Sequence, residues 1–376
     1  MPTIEASTGT DVDLSYLRSR STPSAPSDAE DISIVDLFAG CGGLTLGVIE
    51  GARRIGRAAR LALAIDHDPV PLSVLEATLP DADARFSTSD LESGLRGFTE
   101  RTHPSEHALF DGIDGQKVLL AGPPCQGHSA LNNHTRYDDA RNDLYLKVAR
   151  AARLLKPSVV VVENVRGVGQ DRRAALERCT AALEELGYEV ETKSVDLSAI
   201  GVPQKRVRHV LVATQGHRFN WLFPESPRRD VAWAIGDLLD ASPTTVIDTP
   251  SRVTAVNASR IDYLFDNDAY DLPNEERPKC HRSEHSYVSM YGRLRWDRPA
   301  QTITSGYGSM GQGRFVHPRR RRTLTPHEAA RLQFLPDFVS FGADISRTQL
   351  ANMIGNSVPP RLGIVLVQML VDQQFL

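Results

Sequence analysis

Ile34-Val35-Asp36-Leu37-Phe38-Ala39-Gly40-Cys41-Gly42-Gly43-Leu44-Thr45-Leu46-Gly47 begins as an apolar run, breaks into glycines and resumes with helical spacing. A strand that ends in a glycine-rich turn and opens a helix suits a bound anion or nucleotide, because glycine lets the backbone approach a ligand and a helix N-terminus favours negative charge. The next apolar run, Leu61 to Ile65, ends at Asp66, where a carboxylate can accept hydrogen bonds from a ribose diol. The turn is not the GxGxxG of dinucleotide sites, since Thr45 takes the third glycine position, so another adenosine cofactor fits better. A plain tight turn in an α/β protein is the alternative.

Outward from this stretch, Val118 to Ala121, Val159 to Val162 and Val207 to Ala213 are further strand candidates. Asp143 to Leu155 and Arg172 to Leu186 carry helical spacing between them. The alternation predicts an α/β fold with a doubly wound, mostly parallel sheet over residues 31–215. Residues 1–30, rich in Ser, Thr, Pro and Asp, read as a disordered tail without catalytic role. Across 216–322 the βα rhythm fails and Pro, Asp and Arg become frequent, which predicts a second, smaller and irregular domain. Periodicity returns in 323–376, with a helix opening at Thr325-Pro326-His327-Glu328 and another over Pro360 to Gln374; these apolar helices need a core and are expected to rejoin the large domain.

With 376 residues, 41% hydrophobic and 24% charged, the chain can bury a full core. No stretch approaches the ~18 uncharged apolar residues of a membrane span, and the N-terminus lacks a basic-then-apolar leader, so a cytoplasmic protein is expected. A net charge of −4 argues against binding nucleic acid by overall charge but leaves room for a basic cleft. The four cysteines, Cys41, Cys125, Cys179 and Cys280, form no CxxC pair, which argues against a disulfide framework or a cysteine-rich zinc site. Cys280-His281 with His285 has loose ligand spacing and no fourth partner, so no metal is expected.

Three further stretches carry chemistry. Gly122-Pro123-Pro124-Cys125-Gln126-Gly127-His128-Ser129 follows an apolar strand, and its prolines fix a loop at the carboxyl end of the sheet, where a nucleophile belongs. Cys41, Cys179 and Cys280 instead read as inert buried thiols. Val159 to Val162 run into Glu163-Asn164-Val165; a carboxyl at the end of a buried strand is costly unless used or paired, and desolvation favours its protonated form. A helix-capping Glu or Asn is the bland alternative. In Pro203-Gln204-Lys205-Arg206-Val207-Arg208 the alternate arginines point the same way if the segment is a strand, with a solvated basic edge as the other reading.

In this order, Asp36 to Gly47, Gly122 to Ser129, Glu163 to Val165 and Gln204 to Arg208 resemble the ordered motifs of the DNA cytosine-5 methyltransferase family, bacterial type II restriction-modification or orphan type. Arg298-Pro299-Ala300-Gln301-Thr302-Ile303-Thr304, Leu324 to Gln333, and Ile354-Gly355-Asn356-Ser357-Val358-Pro359-Pro360 extend the likeness over roughly Ile32 to Leu370. The resemblance implies a Rossmann-like fold that binds S-adenosyl-L-methionine and releases S-adenosyl-L-homocysteine. It implies double-stranded DNA as substrate, a target base flipped out of the duplex, and 216–322 as a target-recognition domain reading the major groove.

By the same resemblance Cys125 is the nucleophile attacking carbon 6 of cytosine, Glu163 holds the amino group and ring nitrogen 3, Arg208 contacts the cytosine carbonyl and Arg206 assists. For the cofactor, Phe38 stacks on adenine, the loop Gly40, Cys41, Gly42 and Gly43 meets the methionine end, Asp66 takes the ribose and Asp90 the adenine amino group. Pro124 belongs to the same pocket, which Asn356 and Ser357 close. His67 stands where an aromatic residue often stacks on the cofactor, His128 replaces a usual phenylalanine, and Phe334-Leu335-Pro336-Asp337 varies the usual Gly-Phe-Pro-Asp. A restriction endonuclease for the same site is the implied partner. The tRNA-methylating branch that shares these motifs and a catalytically silent DNA-binding relative are the alternatives. Arg319 to Arg322 either neutralise phosphates or form a solvated charge run.

Overall fold

The computed structural model describes residues 11–24, 31–124, 143–240, 242–243, 245–282 and 289–376. The apolar runs become strands β1 (Asp31–Leu37), β2 (Ala58–Ile65), β4 (Gln116–Ala121), β5 (Val159–Val165) and β8 (Val207–Thr214). Four strands are new: β3 (Arg85–Ser87), β6 (Glu189–Asp196) and the two-residue β7 (Gln204–Lys205) and β9 (Ala300–Gln301), which pair in parallel. The main sheet has the order β3-β2-β1-β4-β5-β8-β6. Pairings from β3 through β5 are parallel, while β8 runs antiparallel to both β5 and β6.

Alternation along the central strands sorts residues to two faces. Ile32, Ile34, Val118, Leu120, Val159, Val161, Val210 and Val212 join one buried core, and Val35, Leu37, Leu119, Ala121, Val160, Val162, Leu211 and Ala213 the other. The first face packs under α2 (Gly43–Arg54) and α3 (Pro69–Thr78), with α4 (Leu91–Gly94) and α5 (Pro104–Phe110) leading to β4. Helices α6 (Leu144–Leu155) and α7 (Ala175–Glu185) cover the second. Residues 216–322 contribute the short α8 (Val231–Ile235) and α9 (Ala255–Asp266), the latter on a small core of Ile261, Leu264, Leu272, Tyr291, Met310 and Val316.

The chain then returns through α10 (Pro326–Leu332), α11 (Arg347–Asn356) and α12 (Pro360–Asp372). Thr325 caps α10 with a full capping box to Glu328, as the sequence predicts. The run α11–α12 is long and apolar enough to cross a membrane by composition, but most of it is buried inside the fold. Its partner is α2: a Cβ on Gly47 would lie 2.1 Å from the Pro360 carbonyl oxygen, and one on Gly363 2.8 Å from that of Leu44. The seam Gly43, Gly47, Gly51 on α2 therefore brings the two helix backbones into contact.

The expected disordered tail needs correction. Within it, α1 (Val12–Leu17) is a helix capped by Asp11 and docked on the body of the protein. Its low apolar content misleads because charge as well as ring packing holds it. Asp13, buried, pairs with Arg54 at 2.7 Å and Arg361 at 2.9 Å, and Asp11 with Arg229 at 2.6 Å. Tyr16 packs on Phe334 and Phe338. Phe334 stands at a left-handed φ of 63°, a conformation that favours the glycine usual at this position. Its ring, held between Tyr16 and Trp233, offsets that strain.

Candidate active site

The glycine turn after β1 splits into two halves. Phe38 and Gly40 both take left-handed backbone conformations, φ 62° and 54°, and a Cβ on Gly40 would meet nothing within 4 Å. Strain in a non-glycine residue beside open space is a common feature of binding sites. Gly43, in contrast, is a packing residue, its would-be Cβ 2.1 Å from the Val358 carbonyl oxygen, and Gly42 backs onto Leu75. Thr45, the residue in the third glycine position, donates a 2.5 Å hydrogen bond to Asp36 and so staples helix to strand. Burial, moderated by that bond and reinforced by Asp66, pushes Asp36 up to about 7.

Asp66, 9% exposed, closes the second strand against this turn: its carboxylate accepts from Gly40 N at 2.8 Å and Asp68 N at 2.9 Å. His67 is exposed, with Nδ1 3.3 Å from Asp66. Asp90 caps α4 through Glu92 N and Ser93 Oγ, and those bonds, the Glu92 amide first, lower its pKa. Ser357 comes from the far end of the chain and hydrogen-bonds Cys41, while Asn356 beside it is exposed. Burial pushes the thiols of Cys41 and Cys179 up to about 11 and 12, as expected of inert cysteines. Cys280 departs from that reading: it is exposed, with Sγ 3.1 Å from His281 Nδ1. His285 lies outside the described residues.

Cys125 and the residues through Ser129, His128 included, also lie outside the described residues, which end at Pro124. The approach to them is well fixed. Gly122 N donates to Leu37 O, and Asn164 Nδ2, fully buried, donates to Pro123 O at 3.1 Å while its Oδ1 accepts from Val165 N. Tyr145, three residues beyond the undescribed stretch, is fully buried. Asn164 has no role assigned from its motif, although its place after a buried acid at a strand end is a signal the sequence carries.

Glu163, 7% exposed, sits one residue before Asn164 and forms an ion pair with Arg208 Nε at 2.8 Å across the β5–β8 pairing. Arg206 does not share that side. The strand breaks between β7 and β8 at Arg206, so the alternation expected of one continuous strand does not hold. Its buried guanidinium donates to Ile303 O at 2.9 Å and to Gly355 O and Ser357 O at 3.3 Å, so it holds backbone and does not point the same way as Arg208. The run Arg319 to Arg322 stays at the surface, its first three residues exposed, yet is engaged within the chain. Arg320 donates to Leu239 O and Asp240, Arg321 to Asp262 and Asp266, Arg322 pairs bidentately with Glu328, and Arg319 lies over Trp296.

The family model of the C-5 cytosine-specific DNA methylases matches residues 32–371. The type II methyltransferase M1.BsuMI of Bacillus subtilis is 43% identical over 94% of this chain and 84% of its own length, and the type II methylase M.HgiDII of Herpetosiphon aurantiacus 30% identical over 89% and 94%. Among solved structures, the Entamoeba histolytica methyltransferase EhMeth shares the fold with a TM-score of 0.60 at 15% identity, over 92% of this chain and 99% of that one. A methyltransferase sheet with a carboxylate–arginine pair between β5 and β8, matched along nearly the whole chain by that family, settles the assignment: the protein belongs to the C-5 cytosine-specific DNA methylases and is a DNA cytosine-5 methyltransferase, whose family and fold imply S-adenosylmethionine-dependent catalysis.

Proposed function

We propose that the chain methylates carbon 5 of a flipped cytosine within one short duplex sequence, in the cytoplasm at the nucleoid, and protects DNA from a restriction endonuclease that cuts at that sequence. The observation that carries the reading is the Glu163–Arg208 pair beside a proline loop anchored by Asn164. In the reaction the Cys125 thiolate adds to carbon 6, forming an S–C bond as the electrons of the 5,6 double bond move to carbon 5. Glu163 holds nitrogen 3 and the amino group and keeps a proton at the ring nitrogen as charge develops. Arg208, its guanidinium already beside Glu163, donates to the cytosine carbonyl. Once carbon 5 carries the methyl group, loss of its proton and of the sulfur restores the double bond and frees the enzyme.

The turn after β1 suits the cofactor: open space at Gly40, a strained Phe38 and a nearly buried carboxylate at Asp66 are what an adenosine ligand needs. Phe38 would stack on adenine, Asp66 take the ribose and Asp90 the amino group. Gly40, Cys41, Gly42, Gly43, His67, Pro124, Asn356 and Ser357 would complete the wall. S-adenosylmethionine supplies the methyl group as an electrophile. Residues 216–322 would read the DNA, between a tail at 1–30, a catalytic unit at 31–215 and a returning segment at 323–376.

Bisulfite sequencing of DNA from cells expressing the chain, beside cells expressing Cys125→Ser, tests this. Methylated cytosines confined to one short sequence and absent from the variant are expected. Unmethylated DNA from cells with folded, cofactor-binding protein would overturn it in favour of an RNA substrate or a silent binding module.

A further inference from the structure

The mechanism leaves two fully buried amides unused, Gln204 on β7 and Gln333 just after α10. They touch head to tail. Ile303 N donates to Gln204 Oε1 at 3.0 Å, and Gln204 Nε2 donates to Leu332 O at 2.8 Å and Gln333 Oε1 at 2.5 Å. Gln333 Nε2 in turn donates to Ile354 O at 2.7 Å and Gly355 O at 3.2 Å. The chain of bonds has one direction, and reversing a donor and an acceptor anywhere along it sets two lone pairs against each other. Packing alone would be served by apolar side chains; a satisfied polar chain selects one arrangement.

That arrangement includes Arg208. Gln204 and Lys205 are locked in register to Ala300 and Gln301, and Thr302 Oγ1 bonds Lys205 O. Arg206 is gripped by Ile303 O and Gly355 O, the neighbourhood the two amides hold. There is no slack on the far side, where a Cβ on Gly355 would lie 2.2 Å from Ser305 N. Arg208 follows two residues after Arg206 and emerges beside Glu163. We propose that Gln204 and Gln333 are positioning residues for methyl transfer, their paired amides fixing the strand start from which Arg208 reaches the target base. The proposal rests on the role given above to Arg208.

The test is a cycle of single-turnover rates, measured as tritium transfer from labelled cofactor to unmethylated duplex DNA by the full chain. Gln204→Glu keeps the shape of the side chain and replaces its donating nitrogen by an acceptor. It is expected to slow transfer by about tenfold to a hundredfold, the cost of misplacing a catalytic group by an ångström. Cooperative melting and cofactor binding should be retained. In an Arg208→Ala background the same change is expected to cost almost nothing more, because its effect passes through Arg208. If Gln204→Glu fails to fold, Gln333→Met, which keeps volume and removes the amide, enters the same cycle with the same expectation. Equal slowing in both backgrounds, or no slowing at all, overturns the proposal while leaving the Arg208 assignment intact. An unchanged rate for Arg208→Ala alone overturns both.

Discussion

In the sheet, Val159, Val160, Val161 and Val162 are buried on both faces and the interior closes on aliphatic side chains. In residues 255–322 much of the same work falls to arginines. Arg293, buried, donates twice to Pro318 O, reaches Asp268 and lies over the rings of Phe265 and Tyr270. Arg314 bonds Tyr270 O and Asp271, and Arg260 bonds Glu276 O over Tyr291. Aliphatic burial is non-directional and tolerates exchange among residues of similar volume. A guanidinium is planar, with donors in fixed directions, and holds chosen carbonyls without a large core. A region built this way can change its surface while its frame persists, whereas the sheet is committed to its core.

The contrast can be broken at the glycine seam. Gly47→Val drives a side chain into the Pro360 backbone, and chemical denaturation is expected to show a loss of about 3 kcal/mol or more, or no folded protein. Arg293→Met sharpens it from the other side. The orphaned Pro318 carbonyl should cost about 2 kcal/mol, with hydrogen exchange rising across 255–294 while cofactor binding is kept. A global loss of protection would show that the two regions share one cooperative core after all.

A third prediction concerns their junction. His327 Nδ1 is 2.8 Å from Asp248 and Nε2 3.0 Å from Asp337, and a neutral imidazole could donate to only one of them. Burial alone would lower its pKa, but the two carboxylates outweigh it and raise it. A raised pKa contributes stability below the unfolded value of about 6.5 that is lost as pH climbs through the folded one. Unfolding free energy should therefore fall from near-neutral into mildly alkaline pH, and this component should vanish in His327→Gln. The smallest effect is expected at Arg321→Ala, an exposed partner of Asp262 and Asp266, which should leave the melting temperature unchanged. A clear drop would mean that even the rim of residues 255–322 depends on its arginines.

The same contrast explains what could be read in advance. β4, β5 and β8 were legible because apolar runs at strand length have few other uses. β6 was not, since it is an edge strand with most side chains exposed and little alternation to betray it. The α1 helix was hidden because Asp13 is buried by arginines from distant segments, which composition cannot reveal. Within the candidate site, Glu163 and Arg208 were named as separate motifs and the fold supplies their contact. That Arg206 and Arg208 part ways was hidden because β7 pairs with Ala300, far along the chain, and the strand breaks before β8. Gln204 and Gln333 were quoted within motifs, but only tertiary structure joins them.

The glycine seam also has a bearing on when the enzyme comes to life. Its two helices are far apart in the chain, and Ser357, which lies against the turn after β1, is translated just before the second of them. A nascent chain folds from its N-terminus as it leaves the ribosome, so here the first helix waits, its backbone groove uncovered, until the second arrives. A chain truncated before Pro360 would leave that groove uncovered and is expected to be inactive.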